Sequence, residues 1–201
     1  MRHHDQTNGS WRISMAGMLV ALLMGGVGLQ STRVDAQRAG EPSPADGVAA
    51  FVRLSSVLES PRCLNCHPRG DRPSQGDDRH IHLMNVQRGP HDDGMPAMHC
   101  STCHQAHPNE VVGVPGAPHW HVAPMSMGWI GLSSGDLCRT LLDRKKNGNR
   151  TVADLVAHMR GDPLVHSAWD ELPRRAPPPL SFDDFTAAVA LWANAGAPCP
   201  Q

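Results

Sequence analysis

Aromatic residues are scarce in this sequence, which has no tyrosine and only 3 phenylalanines and 5 tryptophans among 201 residues. Chain-breaking residues are abundant instead, with 19 glycines and 18 prolines, well above the usual combined share of about 12%. A domain with so little aromatic material has difficulty building a hydrophobic core from its own side chains. The composition therefore predicts that something other than protein fills part of the interior.

An excess of charge of one sign is also absent, since Lys and Arg total 18, Asp and Glu total 19, and the formal net charge is -1. This balance argues against a nucleic-acid-binding protein, which would show a strong basic excess. It argues equally against a polybasic protein of the membrane surface. A hydrophobic fraction of 40% argues against a disordered chain.

The N-terminus has the layout of a secretory signal peptide. An apolar run over residues 15–29 follows Arg2 and Arg12, and residues 34–36 (VDA) place small residues at the positions that a signal peptidase requires. The alternative is an uncleaved membrane anchor, but the run is shorter than the roughly 20 residues that span a bilayer. We therefore predict a signal peptide over residues 1–36, a periplasmic location and no membrane span after processing.

The rest of the chain is predicted to be mainly α-helical, with long irregular loops and no significant sheet. Residues 37–48 are polar and contain Pro and Gly, which predicts a flexible linker before a domain over residues 49–201. Apolar spacing and capping patterns predict helices over 49–60, over 134–146, over 151–159 and from Ser181 through the stripe Phe185, Val189 and Trp192.

Two C-x-x-C-H motifs carry the chemistry, at residues 63–67 and 100–104. This pattern is typical of c-type haem attachment, because two thiols three positions apart can reach the two vinyl groups of one porphyrin. The histidine that follows then supplies the proximal nitrogen to the iron. The motifs predict two covalently bound haem c groups, with the domain wrapped around them; the thioether cysteines are Cys63, Cys66, Cys100 and Cys103, and the proximal ligands are His67 and His104.

Other uses of these cysteines are less consistent with the spacing. In a zinc site built from two such pairs the gap is usually about 15–20 residues, whereas 33 residues separate Cys66 from Cys100. A thioredoxin-like pair needs a βαβ pattern, which the sequence lacks, and plain disulfides remain an alternative in an oxidising compartment. Cys138 and Cys199 have no C-x-x-C partner, so we predict a disulfide between them, with two free buried thiols as the alternative.

The second axial position of each iron is open to several candidates. His82 lies on an apolar segment between the motifs, and His121 lies in a proline-flanked loop where Trp120 could cover a haem face. These two are the predicted distal ligands, and His158, on the inward side of a short helix, is the runner-up. Methionine ligation at one or both irons is the alternative, and it would raise the reduction potential.

Several longer strings resemble a family of small exported dihaem c-type cytochromes labelled as a subunit of isoquinoline 1-oxidoreductase, a molybdenum hydroxylase. The likeness covers residues 81–107 and 116–201, in HLMNVQRG, MHCSTCH, PGAPHWHVAP, NGNRTVADLVAHM, DPLV and GAPCP. It implies single-electron transfer between a redox partner protein, such as a molybdenum hydroxylase or another dehydrogenase, and a terminal acceptor. It does not imply that this chain binds isoquinoline.

Alternative functions belong to other classes of protein. A dihaem peroxidase or a small-oxyanion reductase would need one iron with an open coordination position, and a haem-based sensor subunit is a third hypothesis. The many histidines near the motifs and the short chain favour an electron carrier, for which the protein contributes haem orientation, axial ligation and burial without bond-making catalysis.

Overall fold

A computed structural model describes residues 40–201, so the predicted signal peptide lies outside the described residues. Helices are the main regular structure, accompanied by two small antiparallel sheets of two strands each. The mainly helical prediction is confirmed at this level. The helices are α1 (Pro44–Leu58), α2 (Pro61–Leu64), α3 (Ser134–Leu142), α4 (Val152–Gly161), α5 (Pro163–His166) and α6 (Phe182–Asn194), with 3-10 turns at Cys100–Thr102, Met125–Met127 and Ser167–Trp169.

The first helix begins earlier than the sequence patterns predicted. Ser43 caps α1 through a capping box with Asp46, and Pro44 occupies the first helical position, where its missing N–H costs nothing. The predicted flexible linker over 37–48 is therefore wrong for residues 44–48. Pro and Gly often interrupt helices, but proline at the first helical position favours a helix start. For the same reason Pro61 begins α2 rather than only following α1.

The hydrophobic core forms where α1 packs along α6, with further contributions from α3 and α4. The few aromatic residues are concentrated here: the ring centres of Phe51 and Trp192 are 5.3 Å apart, and Phe185 is fully buried nearby. A Cβ atom on Gly47 would lie 2.6 Å from Cβ of Ala195, so the glycine allows α1 to approach the end of α6 closely. These contacts provide a protein core at the helical end of the domain.

Irregular chain dominates residues 65–133, which contain the second C-x-x-C-H motif and the last three residues of the first. Strand β1 (Ser74–Gln75) pairs antiparallel with β2 (His80–Ile81), and β3 (Gly94–Met95) pairs antiparallel with β4 (Met98–His99). The first hairpin ends directly before His82, and the second ends directly before Cys100. The two short sheets therefore position a candidate ligand and a candidate attachment cysteine.

The predicted disulfide between Cys138 and Cys199 is present, with Cα atoms 5.5 Å apart. It ties α3 to the C-terminal segment, and Nε1 of Trp192 donates to the carbonyl of Pro198 in the same segment at 3.0 Å. None of the helices within residues 40–201 is long and apolar enough to cross a membrane.

Replacing Cys138 and Cys199 together by alanine should lower the free energy of unfolding by about 4 kcal/mol, because the bridge closes a loop across 61 positions. Denaturant unfolding of the variant and of the wild-type protein measures this difference. Reduction of the wild-type protein should reproduce most of the loss. An unchanged unfolding midpoint would show that the bridge does not stabilise the domain.

Candidate functional site

The first C-x-x-C-H motif, residues 63–67, is wound into a single helical turn. The carbonyl of Ser60 accepts from the amides of Cys63 and Leu64, and the carbonyl of Cys63 accepts from the amide of Cys66 at 3.1 Å. Residues three positions apart on a helical turn lie on the same side. The turn therefore presents the two cysteines side by side, with His67 directly after them.

The second motif, residues 100–104, repeats this geometry on a 3-10 turn. The carbonyl of Cys100 accepts from the amide of Cys103 at 3.2 Å and from the amide of His104 at 2.9 Å. Both motifs thus bring two free thiols and one imidazole to the same turn, whereas the remaining two cysteines are joined to each other.

The two motif histidines make the same kind of hydrogen bond. Nδ1 of His67 donates to the carbonyl of Met127 at 2.8 Å, and Nδ1 of His104 donates to the carbonyl of Pro115 at 2.8 Å. A carbonyl can only accept, so each ring carries its proton on Nδ1 and leaves the lone pair of Nε2 exposed for a metal. This is the tautomer that a proximal iron ligand requires.

A tryptophan stacks on each motif histidine. The ring centres of His67 and Trp129 are 3.3 Å apart at an interplanar angle of 14°, and those of His104 and Trp120 are 4.3 Å apart at 4°. Such stacking fixes the rotation of the imidazole ring about its Cβ–Cγ bond. Trp120 was expected near a haem, whereas Trp129 stands in no motif and was not foreseen.

Burial keeps the groups of the first motif uncharged. It lowers the pKa of His67 to about 4, although the hydrogen bond that His67 donates to the carbonyl of Met127 opposes this shift. It raises the pKa of Cys63 to about 12 and, together with the charge of Cys100, raises the pKa of Cys66 to about 11. Burial also lowers the pKa of His104. At neutral pH the imidazole of His67 and the thiols of Cys63 and Cys66 are therefore uncharged.

Buried Arg88 joins the surroundings of the two motifs. Its guanidinium donates to the Asp92 carboxylate at 2.6 Å and to the carbonyl of Ala123. It also donates to the carbonyls of Pro68 and Gly70, directly after the first motif, at 3.4 and 3.3 Å. One side chain therefore links the segment after the first motif, the segment before the second motif and the loop that precedes α3. No sequence motif marks this residue.

Segment 122–129 adds backbone links to the same region. The amide of Val122 donates to the carbonyl of Asp92, the amide of Ala123 to that of Cys66, and the amide of Trp129 to that of His67. The two motifs are therefore neighbours in space, although 33 residues separate Cys66 from Cys100 in sequence. A pair of redox groups on these motifs would be held close together.

Of the predicted distal ligands, His82 lies beside the second motif. Its ring centre is 6.1 Å from that of His104, and its Nδ1 donates to the carbonyl of Leu83 at 3.0 Å, which leaves Nε2 available. Two imidazoles that bind one metal ion from opposite sides, each through a nitrogen at about 2 Å, have ring centres about 6 Å apart. The separation of His82 and His104 fits that requirement.

The first motif has two nearby histidines instead of one. Charge on His158 or His121 lowers the pKa of His67, and the contribution of His158 is the larger. Nδ1 of His158 contacts the Asp162 carboxylate at 3.0 Å, and Nδ1 of His121 donates to the carbonyl of His119 at 2.5 Å. Both rings therefore have Nε2 available, and His121 also lines the cleft beside the second motif.

Two of the other histidines pair with carboxylates. Nδ1 of His80 contacts Asp78 at 2.6 Å, and His99 lies 3.6 Å from Asp93. Within residues 40–201 no group of three or more His, Cys, Asp or Glu side chains is arranged to hold a metal ion. The two cysteine pairs are thus not gathered into one four-ligand site.

Two observations test whether the residues around the motifs could hold a larger cofactor. A cleft of about 600 Å³ beside the second motif is lined by His104, Trp120 and His121 among others, which is the size range of cofactor sites. Buried side-chain atoms without a hydrogen-bond partner are rare in native proteins. In the described part of the chain they occur on residues within or near the motifs and their bridging loops: Ser60, Asn65, Arg88, Asp93 and Trp129.

Comparison of the chain with protein-family models, with curated proteins and with solved structures found no match.

Proposed function

We propose that this protein is a periplasmic dihaem c-type cytochrome that passes single electrons between a partner dehydrogenase and a terminal acceptor. The observation that carries the proposal is the repeated arrangement at the two motifs: two adjacent thiols, an imidazole with Nδ1 bonded to a carbonyl and Nε2 available, and a stacked tryptophan. Haem bound at each motif would supply the one-electron couple of its iron.

The chain's own residues would hold and orient those groups. Cys63 and Cys66 would bond one haem, and Cys100 and Cys103 the other. The carbonyls of Met127 and Pro115 fix the protonated nitrogen of each motif histidine, which also increases its basicity as a ligand. Burial of the first motif excludes water. Fewer water molecules then have to reorient when the iron changes charge, which lowers the reorganisation energy of electron transfer.

Carrier function is favoured over peroxidase or reductase chemistry by the position of His82. A carrier needs both axial positions filled, whereas an enzyme of the alternative class needs one open iron. The ring of His82 lies at a distance from His104 that allows both to bind one metal ion. His158 and His121, whose Nε2 atoms are available, are the candidates for the iron at the first motif. The identity of the electron donor follows only from the resemblance to molybdenum-hydroxylase subunits and belongs to the proposal.

Expression of the full chain together with cytochrome maturation machinery tests the proposal. We expect a red protein whose intact mass shows two haems and the loss of residues 1–36, with haem staining on a denaturing gel. Its spectrum should be low-spin and insensitive to carbon monoxide and peroxide. Colourless protein would refute haem attachment, and a response to carbon monoxide or peroxide would favour the enzyme hypothesis.

Replacing His82 by alanine should convert one of the two irons to a high-spin form that binds carbon monoxide, because the sixth ligand is lost. Either His158→Ala or His121→Ala, but not both, should do the same for the other iron. Optical and electron paramagnetic resonance spectra measure these changes. His80→Ala is the matched control, since His80 is two positions away and contacts Asp78; a low-spin spectrum for His82→Ala would reject the assignment.

A further inference from the structure

The indole N–H of Trp129 is buried without an acceptor. Trp129 is 6% exposed, and its Nε1 has no hydrogen-bond partner among the described residues. Two other tryptophans show the normal arrangement: Nε1 of Trp169 donates to the carbonyl of Leu180 at 2.8 Å, and Nε1 of Trp192 donates to that of Pro198 at 3.0 Å. A buried donor of this kind is costly unless something accepts from it.

Trp129 is held firmly against the first motif. Its ring stacks on His67 at 3.3 Å, and its amide donates to the carbonyl of His67 at 3.1 Å. Two positions earlier, Met127 accepts from Nδ1 of the same histidine. The unpartnered indole nitrogen therefore belongs to the immediate surroundings of the group that His67 would bind.

A second unpartnered donor lies at the same motif. Nε of Arg88 is buried and has no acceptor, although the other guanidinium nitrogens of this 5%-exposed residue are engaged. Those nitrogens reach Pro68, the residue directly after His67, and Asp92. Indole and guanidinium groups can only donate. Two buried donors, one of them cationic, favour a ligand that is negatively charged and can only accept hydrogen bonds. A carboxylate has both properties.

We propose that Trp129 donates its indole N–H to a propionate carboxylate of the haem at the first motif, with Nε of Arg88 as a second donor. This inference rests on the proposed function, because the carboxylate comes with the haem. The bond partly neutralises a negative charge near the iron. It therefore favours the reduced state and raises the potential of this haem relative to one that lacks the donor.

Nuclear magnetic resonance of the reduced, fully loaded protein tests the bond directly. The haem is labelled with ¹³C through 5-aminolevulinate, and the indoles are labelled with ¹⁵N. We expect the Trp129 N–H to exchange slowly with water and to show a nuclear Overhauser effect to a labelled propionate methylene. Rapid exchange would overturn the inference. Slow exchange without that effect would also overturn it, because a side-chain or solute carboxylate would then be the acceptor.

Trp129→Phe keeps an aromatic ring for stacking and removes only the donor. Voltammetry should show one potential lowered by about 28–59 mV, a threefold to tenfold shift of the reduction equilibrium. Trp120→Phe is the matched control, because Trp120 stacks on His104 but is only partly buried; it should leave the first haem's potential unchanged. Unchanged potentials in Trp129→Phe with both haems attached would overturn the inference alone, whereas missing haem would overturn the proposed function.

Discussion

Replacing Cys63 and Cys66 together by alanine should remove one haem and also weaken the whole domain. Cys63 packs against the same hydrophobic core that contains Leu64, Met127 and Trp129. Loss of the covalent link at this motif therefore leaves a gap beside the main core. We expect the free energy of unfolding to fall by about 3 kcal/mol, comparable to the loss of a native crosslink. Intact mass counts the haems, and thermal unfolding followed by circular dichroism reports the stability.

The matched variant replaces Cys100 and Cys103 by alanine. Cys103 is exposed, and neither cysteine of this pair contacts the main core. This variant should also lose one haem but should keep a cooperative unfolding transition close to that of the wild-type protein. Equal destabilisation by the two double variants would contradict the expectation that the first motif supports the main core and the second motif does not. Retention of two haems by either variant would contradict covalent attachment.

The parts of this fold that the sequence predicted are those determined by local interactions. Thr151 caps α4 through a capping box with Asp154, and Ser181 caps α6, as their spacing indicated. The disulfide followed from the absence of any other partner for Cys138 and Cys199. Each of these features is recognisable because its signal lies within a few residues or within one residue type.

Long-range partners gave no comparable signal. Arg88 lies in the polar string QRGPHDD, which reads as an exposed loop, yet its side chain donates to backbone carbonyls from two separate segments. Carbonyls are present at every position, so no pattern marks the ones that will be used. The same limit applied to the distal ligands: proximity of His82 to His104 depends on two hairpins folding back, which spacing alone does not determine.

Replacing Arg88 by methionine should lower the free energy of unfolding by about 3 kcal/mol. The change removes a buried cation from Asp92, whose side chain is 30% exposed, and leaves the carbonyls of Pro68, Gly70 and Ala123 without their donor. Removing one partner of a buried pair costs about 3–5 kcal/mol, and we take the lower end because Asp92 retains some contact with water. Denaturant unfolding measures the loss.

Arg139→Met is the matched control, because Arg139 forms an ion pair with Asp136 in which both side chains are more than half exposed. An exposed pair of this kind contributes less than about 1 kcal/mol. The double variant Arg88→Met with Asp92→Leu should recover part of the stability, since no charge is then left unpaired. A loss below about 1 kcal/mol in Arg88→Met would show that backbone links alone hold the two motifs together. The predicted loss would instead show that the Arg88 side chain contributes to holding the two motifs together.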